Sequence, residues 1–360
     1  MEKYRLGILP GDDIGLEIVP VAVTVMQEAL KKYPEINVEW VPLPVGAPAY
    51  KTLGETLPAK TLETLLELDG WILGPIGHMA YPKDDPKAIN PHPIIRRTFD
   101  LVSNIRPAKS HPGLPSIHQN VDLVIIRENN EGFQPDRNMY KGTGEFMPTP
   151  DIAMSMRVIT RRNSELVARS AFDLARQRGG KKRVTAIHKN TVFKLGCGLF
   201  IDSCRDVSKD YPDITFDTAV VDTFAMQLVM KPQNFDVIAS TNMFGDILTD
   251  EAAGLVGGLG MAPGLCFGPR YVMAQATHGS APDISGKHIA NPYAMIMSGQ
   301  MMLQWLGMRR GDAAMVACAA EIEAAVSSVL EERQFVTADL GGSSSTEQMG
   351  EAICRKLAAK

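Results

Sequence analysis

Residues 235–260 have the sequence FDVIASTNMFGDILTDEAAGLVGGLG, which predicts a buried strand, then a helix, then a glycine-rich crossing between packed layers. The first part is an apolar run of strand length, and the small apolar residues after it suit a helix. This assignment places Asp246 in the first turn of the helix, where a carboxylate gains from the helix dipole. The segment thus predicts one strand-to-helix step of an α/β fold.

Asp246 and Asp250 are four residues apart, so their carboxylates lie on one helix face with Cβ atoms about 5–6 Å apart. Like charges at this spacing need either water or a cation between them, and an isolated D-x-x-x-D is more often a solvated surface. Asp222, at the end of another apolar run, offers a third carboxylate. Three carboxylates without a neighbouring His or Cys favour Mg²⁺ or Mn²⁺ over Zn²⁺.

Short apolar runs alternate with helical patterns along the chain, as in RLGILPG, LEIVPVAVTVMQEALKKY and INVEWVPLPVG. This alternation predicts an α/β protein with a largely parallel sheet. No Pro/Ser-rich linker divides the chain, so a domain boundary must be a crossing between packed layers, for which GLVGGLGMAPG is the best candidate. The methionine-rich run YAMIMSGQMMLQWLGM predicts a long helix in the core or at a subunit interface.

The composition of the 360 residues, 45% hydrophobic and 22% charged, is typical of a soluble globular protein with two domains or one large one. A net charge of −4 without a long basic tract argues against nucleic-acid or anionic-membrane binding. No stretch approaches the roughly 20 apolar residues of a membrane span, and no secretory signal is evident, so we expect a cytoplasmic protein. The five scattered cysteines predict reduced thiols rather than a zinc site.

Three arginines, Arg96, Arg106 and Arg127, stand at the ends of predicted elements. An arginine at such a position is more often a surface residue. A guanidinium at the end of a buried strand, however, costs free energy unless it pairs with an anion, and its planar group can bind both oxygens of a carboxylate. Beside a candidate metal site, the three indicate a polycarboxylate substrate.

Lys189 also follows a buried strand. Near a divalent cation its pKa would fall, so it could act as a general base, with a surface lysine as the equal alternative.

Five motifs together resemble the β-decarboxylating dehydrogenases, the family of isocitrate, 3-isopropylmalate and tartrate/D-malate dehydrogenases. They are RENNEG, HKNTVFKLG, NMFGDILTDEAAGLVGGLG, HGSAPDISGKHIANP and DLGGSSSTEQ, and the resemblance runs in order from GILPGDDIGLE to Glu347. It implies an α/β, isopropylmalate/isocitrate dehydrogenase-like fold with two α/β domains flanking a cleft, not a Rossmann domain. Residues 1–101 plus 257–360 would form the large cofactor-binding domain, and residues 102–256 the small substrate and dimerisation domain.

The resemblance also implies a homodimer with shared active sites. Arg96, Arg106 and Arg127 would clamp the carboxylates of a di- or tricarboxylate substrate. Asp246 and Asp250 would bind Mg²⁺ or Mn²⁺ together with Asp222 of the second subunit. Lys189, also of the second subunit, would take the hydroxyl proton. The reaction would be loss of hydride to a nicotinamide, followed by loss of CO₂.

The loop HGSAPDIS would form the adenosine site of the cofactor. The carboxylate of Asp283 would accept hydrogen bonds from a free ribose 2′-hydroxyl and repel a 2′-phosphate, which favours NAD over NADP. An ordinary surface turn is the alternative for this loop. The residues implied in the adenosine pocket are His278, Gly279, Ala281, Asp283, Ile284 and Asn291.

The sequence departs from the family where a tyrosine is usual and this chain has Gln134. That tyrosine protonates the enolate carbon, and glutamine is not an acid of suitable pKa. Tyr140, six residues on, is one candidate replacement, and water is another. Further departures are Asp13 for Gly, Thr191 for Asn and Gln275 for Glu.

The segment AINPHPIIRR indicates the substrate class. Asn90 and His92 form a more polar wall than the paired leucines of isopropylmalate enzymes, and burying such groups against alkane costs about 1–3 kcal/mol. A tartrate/D-malate-like or isocitrate-like substrate is therefore favoured over isopropylmalate.

Two alternative functions stay open: a catalytically silent or regulatory ligand-binding relative, and a hydroxy-acid dehydrogenase that does not decarboxylate.

Overall fold

The computed structural model describes residues 3–134, 136 and 138–359. The strands are β1 (Lys3–Leu9), β2 (Asn37–Pro42), β3 (Gly70–Leu73), β4 (Ser103–Lys109), β5 (Asp122–Glu128), β6 (Glu145–Thr149), β7 (Ile152–Ser155), β8 (Arg183–His188), β9 (Thr215–Val220), β10 (Val237–Ser240), β11 (Leu265–Phe267) and β12 (Val272–Ala274). The α-helices are α1 (Gly15–Leu30), α2 (Gly46–Leu53), α3 (Ala59–Leu65), α4 (Pro91–Thr98), α5 (Arg161–Arg178), α6 (Lys194–Ser208), α7 (Val221–Met230), α8 (Asn242–Val256), α9 (Tyr293–Arg310), α10 (Ala313–Glu332) and α11 (Thr346–Ala358).

Ten strands form one sheet in the order β2-β1-β3-β12-β11-β4-β5-β10-β8-β9 within the described ranges. The pairings are parallel toward both edges, as the alternating pattern predicts, but β12, β11, β4 and β5 pair antiparallel at the centre. Strands β1 to β3, β11 and β12 come from the two ends of the chain and lie on one side of the β11–β4 pairing. Strands from the middle of the chain lie on the other side.

Helices α9, α10 and α11 form the core together with strands β1, β3, β11 and β12. The methionine-rich α9 buries most of its length, which accounts for its apolar composition. The expectation that no stretch approaches the length and apolarity of a membrane span does not hold for α10 by length and composition, because α10 is a 20-residue helix whose most apolar window has a mean hydropathy of 1.6. In the fold, α10 packs its Cys318 and Ile322 face into the same core as α9 and α11.

Helix α8 begins at Asn242, directly after β10. Asp246 therefore lies in the second turn and not in the first turn as predicted, since β10 ends at Ser240 and the helix starts earlier than its apolar pattern indicates. The helix crosses closely over Arg127 of β5 at Gly245. A Cβ atom at Gly245 would lie 2.9 Å from both Cβ and Cγ of Arg127, closer than real Cβ contacts allow.

We expect Gly245→Ala to lower the free energy of unfolding by about 1–3 kcal/mol, because the added methyl group must push α8 away from β5. Urea denaturation followed by circular dichroism measures this change. Gly198→Ala, inside helix α6, is the matched control, since an added Cβ there meets nothing within 4 Å. It should stabilise the protein by about 0.4–1 kcal/mol. Equal effects of the two substitutions would contradict the proposed close contact.

Candidate active site

Two buried arginines converge on one aspartate of α8. The Nη1 group of Arg127 donates to Oδ1 of Asp246, and Nη1 of Arg106 donates to the same oxygen at 3.2 Å. Arg106 also donates to Oγ1 of Thr249 at 2.7 Å and lies 3.9 Å from Oδ1 of Asp250. The side chains of the two arginines are 5–9% exposed, whereas those of Asp246 and Asp250 are 50% and 59% exposed. The guanidinium groups thus form a floor, and both carboxylates remain open to solvent on one helix face.

The electrostatics of this cluster favour further negative charge. Burial lowers the pKa of Arg127 to about 9, with the like charge of Arg106 acting in the same direction and Asp246 opposing both. Burial also lowers the pKa of Arg106, and the charge of Arg96 adds to the effect at both sites, so the three arginines act as one positive group. Burial raises the pKa of Asp250, an effect that Arg106 opposes. An anionic ligand would relieve the repulsion among the arginines.

Asn242, the first residue of α8, holds Gln134 against the same cluster. Its Oδ1 accepts from Nε and Nη2 of Arg127 at 3.2 and 2.6 Å and from Nε2 of Gln134 at 3.1 Å. Its Nδ2 donates to Glu128 at 3.4 Å. Gln134 therefore lies at the site as a neutral amide. The side chain of Tyr140 is fully exposed, so within one chain the structure does not bring this candidate acid to Gln134.

Sequence reasoning missed two buried glutamates behind this layer. Glu128 accepts hydrogen bonds from the backbone N–H groups of Asn130 and Glu131 and from the side chain of Asn163. Glu131 accepts from the backbone and the hydroxyl of Thr160, both at 2.8 Å. Burial raises the pKa of both carboxyls, and the charge of Glu128 contributes to raising that of Glu131 to about 7. The available signal was the pair of acids in RENNEG immediately after an apolar strand.

Arg96 on α4 is linked to the chain's C-terminal half. Its Nη2 donates to Oε1 of Gln275 at 2.9 Å, and Nε2 of Gln275 lies 2.6 Å from Nε2 of His92. Because the amide nitrogen can only donate, this contact requires that Nε2 of His92 be unprotonated. Asn90 caps α4 by accepting from the backbone N–H of His92 at 3.1 Å. The predicted polar wall thus exists as a connected group, although Asn90 also has a structural role.

Lys189 and Asp222 form a separate pair. Nζ of Lys189, just after β8, donates to Oδ2 of Asp222 near the start of α7 at 2.6 Å, and this hydrogen bond holds the pKa of Asp222 below its usual range. Within residues 3–134, 136 and 138–359, no three His, Cys, Asp or Glu side chains lie together in a way that could hold a metal ion. One chain therefore does not combine Asp222 with Asp246 and Asp250.

The predicted adenosine pocket is the loop between β12 and α9. Nδ1 of His278 lies 2.9 Å from the carbonyl of Gly279, and its buried Nε2 has no hydrogen-bond partner. Ala281 has a positive φ of 45°, and Asp283 is exposed. Asn291 donates to Asp339 at 2.9 Å. Gly279 leaves open space where a side chain would lie, and Ile284 packs against the main core.

Comparison with known proteins gives consistent matches over almost the whole chain. The sequence profile described as isocitrate/isopropylmalate dehydrogenase matches residues 5–353. The 3-isopropylmalate dehydrogenase of Methanothermobacter thermautotrophicus is 38% identical over 99% of both chains. The isocitrate/homoisocitrate dehydrogenase of Thermus thermophilus is 38% identical over 98% of both.

The fold agrees with these matches. The crystal structure of isocitrate dehydrogenase from Methylococcus capsulatus superposes with a TM-score of 0.83 at 38% identity, covering 98% of this chain and 99% of that one. The predicted α/β fold class is therefore confirmed. With its open carboxylate pair set over buried arginines, the chain belongs to the isocitrate/isopropylmalate dehydrogenase family.

Proposed function

We propose that this protein catalyses the NAD-dependent and Mg²⁺- or Mn²⁺-dependent oxidative decarboxylation of a 3-substituted, D-malate-type 2-hydroxy acid. The observation that carries the proposal is the joint position of Arg106, Arg127, Asp246 and Asp250. Buried guanidinium groups bind substrate carboxylates by donating hydrogen bonds to them, and exposed carboxylates bind a hard cation. A site with both features suits a metal-bound hydroxy acid that carries further carboxylates.

The donor set fits a divalent cation. Asp246 and Asp250 present oxygen ligands on one face and remain accessible, and a second subunit would supply Asp222 as the third carboxylate. When bound, the cation would polarise the C2 oxygen and stabilise negative charge that develops there during loss of CO₂. Arg106 and Arg127 would hold the substrate carboxylates, and Lys189 of the second subunit would take the hydroxyl proton.

The loop at residues 278–291 fits the adenosine part of NAD. Burial lowers the pKa of His278, so the imidazole is neutral and its unpartnered Nε2 can accept from a ligand N–H group. The exposed carboxylate of Asp283 suits a ribose with a free 2′-hydroxyl. Both observations support NAD as the cofactor.

The wall formed by Arg96, Gln275 and His92 supports a polar C3 substituent. Gln275 is buried, and its amide is fully engaged between a cation and a neutral imidazole. An isopropyl group against these atoms would displace their hydrogen bonds, at a cost of about 1–3 kcal/mol each. We therefore favour a tartrate/D-malate-like or isocitrate-like substrate, although relatives named 3-isopropylmalate dehydrogenase are as similar as those named isocitrate/homoisocitrate dehydrogenase.

Exposed apolar side chains support a homodimer with shared active sites. They lie on β6, β7, α7 and α8, and they are Phe146, Met147, Ile152, Met154, Met226, Val229, Met230 and Ile247. Helices α7 and α8 pack against each other and β6 pairs with β7, so the side chains lie in two apolar patches, and exposed apolar patches mark protein–protein interfaces. It belongs to residues 102–256, which we propose as the substrate and dimerisation domain, with residues 1–101 plus 257–360 as the cofactor-binding domain. A cytoplasmic location is part of the same proposal.

The second candidate function is a catalytically silent ligand-binding relative, and the neutral amide of Gln134 at the site favours it. Simultaneous assay of NADH and CO₂ with Mn²⁺ and a panel of D-malate, tartrate, isocitrate and isopropylmalate distinguishes the candidates. Formation of both products supports the proposed reaction. NADH without CO₂ indicates a dehydrogenase that does not decarboxylate, and absence of both indicates the silent relative.

We expect Mn²⁺ to raise the thermal midpoint of the wild-type protein, because an ion that binds the folded state alone stabilises it. Asp250→Asn should abolish this rise. Asp202→Asn is the matched control, since Asp202 is also a helical aspartate and its side chain is 62% exposed against 59% for Asp250. Differential scanning calorimetry with and without Mn²⁺ measures both variants. A rise that persists in Asp250→Asn would place the metal elsewhere.

We expect Gln134→Tyr to raise the rate of CO₂ release at least about tenfold, since a positioned acid contributes roughly 10²–10⁴-fold to such a step. The tyrosine hydroxyl would supply the proton that the amide of Gln134 cannot. Gln134→Phe has the ring without the acid, and it should give no gain. Product release from each variant with the best substrate of the panel is the measurement. Equal rates for the two variants would show that proton supply from position 134 does not limit the reaction.

A further inference from the structure

Arg157, in the segment between β7 and α5, inserts its guanidinium among three phenylalanine rings. The central carbon of the guanidinium lies 5.0 Å from the ring centre of Phe193, 5.5 Å from that of Phe244 and 5.9 Å from that of Phe133. The rings of Phe133 and Phe193 also meet edge to face at 6.2 Å. A cation over an aromatic face is attracted to the ring, and here three rings share one cation.

Two hydrogen bonds fix the orientation of the same guanidinium. Nη1 donates to Sγ of Cys197 at 3.5 Å, and Nη2 donates to Oγ1 of Thr241 at 3.3 Å. In the part of the chain that the structure describes, no carboxylate forms an ion pair with Arg157. The group is therefore held by rings and neutral acceptors rather than by a direct salt bridge, although its charge acts on the carboxyl of Glu131 and opposes the rise of that pKa.

The contacts of Arg157 fall on three segments that carry residues of the proposed site. Phe133 directly precedes Gln134 in the chain. Thr241 and Phe244 lie on either side of Asn242, which anchors Arg127. One planar side chain thus connects the Gln134 segment with the start of α8.

The third segment carries Lys189. Sγ of Cys197 accepts from the backbone N–H of Lys189 at 3.4 Å, and the backbone N–H of Phe193 donates to the Lys189 carbonyl at 2.9 Å. Arg157 contacts both Cys197 and Phe193, so it supports the turn that presents Lys189. Gly196 leaves room for this approach, since a Cβ atom there would lie 3.3 Å from Nη1 of Arg157.

We propose that Arg157 is a positioning residue that fixes the Gln134 segment and the start of α8, which serve one active site, relative to the Lys189 turn, which in the proposed dimer serves the other active site. The inference rests on the proposed function, because it assigns those segments their roles in the reaction. Arginine suits the task, since its planar group stacks on rings and directs hydrogen bonds to fixed sides at once. Lysine keeps the charge but cannot reproduce these contacts.

The test compares Arg157→Met and Arg157→Lys with Arg176→Met in the full-length protein. Arg176 is the matched control, because it stacks on the Tyr211 ring at 4.4 Å and pairs with Asp213, away from the site residues. We expect kcat of both Arg157 variants to fall about 10- to 100-fold, since small displacements of reacting groups are costly. KM should stay within about threefold, because the carboxylate-binding arginines are unchanged. Millimolar guanidinium should partly restore kcat in Arg157→Met, and Arg176→Met should match the wild type.

Hydrogen exchange measured by mass spectrometry gives a readout that is independent of activity. Amides of residues 189–197 should exchange faster in Arg157→Met than in the wild type or in Arg176→Met. Unchanged exchange, or an activity loss matched by a lower folded fraction without guanidinium rescue, would overturn the proposal. If the wild type forms neither NADH nor CO₂ with the panel, the proposed function fails, while faster exchange of residues 189–197 would still support the positioning role.

Discussion

The contact between Arg127 of β5 and Asp246 of α8 is the constraint on which the rest of the site depends. A guanidinium buried to this extent requires an anion, and Asp246 reaches it because Gly245 lets the helix approach the strand. The same crossing places Asn242 over Arg127 and turns Asp250 outward. Packing at a single glycine therefore decides where both carboxylates of α8 lie.

Charge in this region is arranged in layers. The neutral amide of Asn242 connects the buried Glu128 with Arg127, and Glu131 lies next to Glu128, to which its backbone N–H donates. The arginines lie under Asp246 and Asp250, whose exposed carboxylates meet solvent. Because Gln275 is a neutral amide, its hydrogen bond adds no negative charge beside Arg96. Such an arrangement suits anions and a cation together, as the proposed binding of a metal and a polycarboxylate requires.

Much of the architecture could be predicted from local patterns. Apolar runs of strand length and helical spacing have local causes, and the structure confirms an α/β fold with these elements. The predictions that the structure contradicts concern features set by contacts with neighbouring elements. The start of α8 follows from where β10 ends, and the burial of α10 follows from packing against α9 and α11. The exposure of Tyr140 in one chain likewise depends on the path of its segment, and its role as an acid stays a prediction. The burial of Glu131 was also not predicted, because the pair of acids in RENNEG marks the end of an apolar strand but does not show that the fold covers either acid.

The sequence by itself determined the family, the order of elements and the shared face of Asp246 and Asp250, because motif composition and a four-residue spacing act over short distances. Only the tertiary structure decided which distant side chains meet. Arg106 bonds to Thr249 across 143 positions, and Arg96 bonds to Gln275 across 179. Proximity of this kind depends on strand order and helix packing, which no local pattern encodes. Asp222, Asp246 and Asp250 show the same limit of sequence patterns, because one chain alone does not bring the three together.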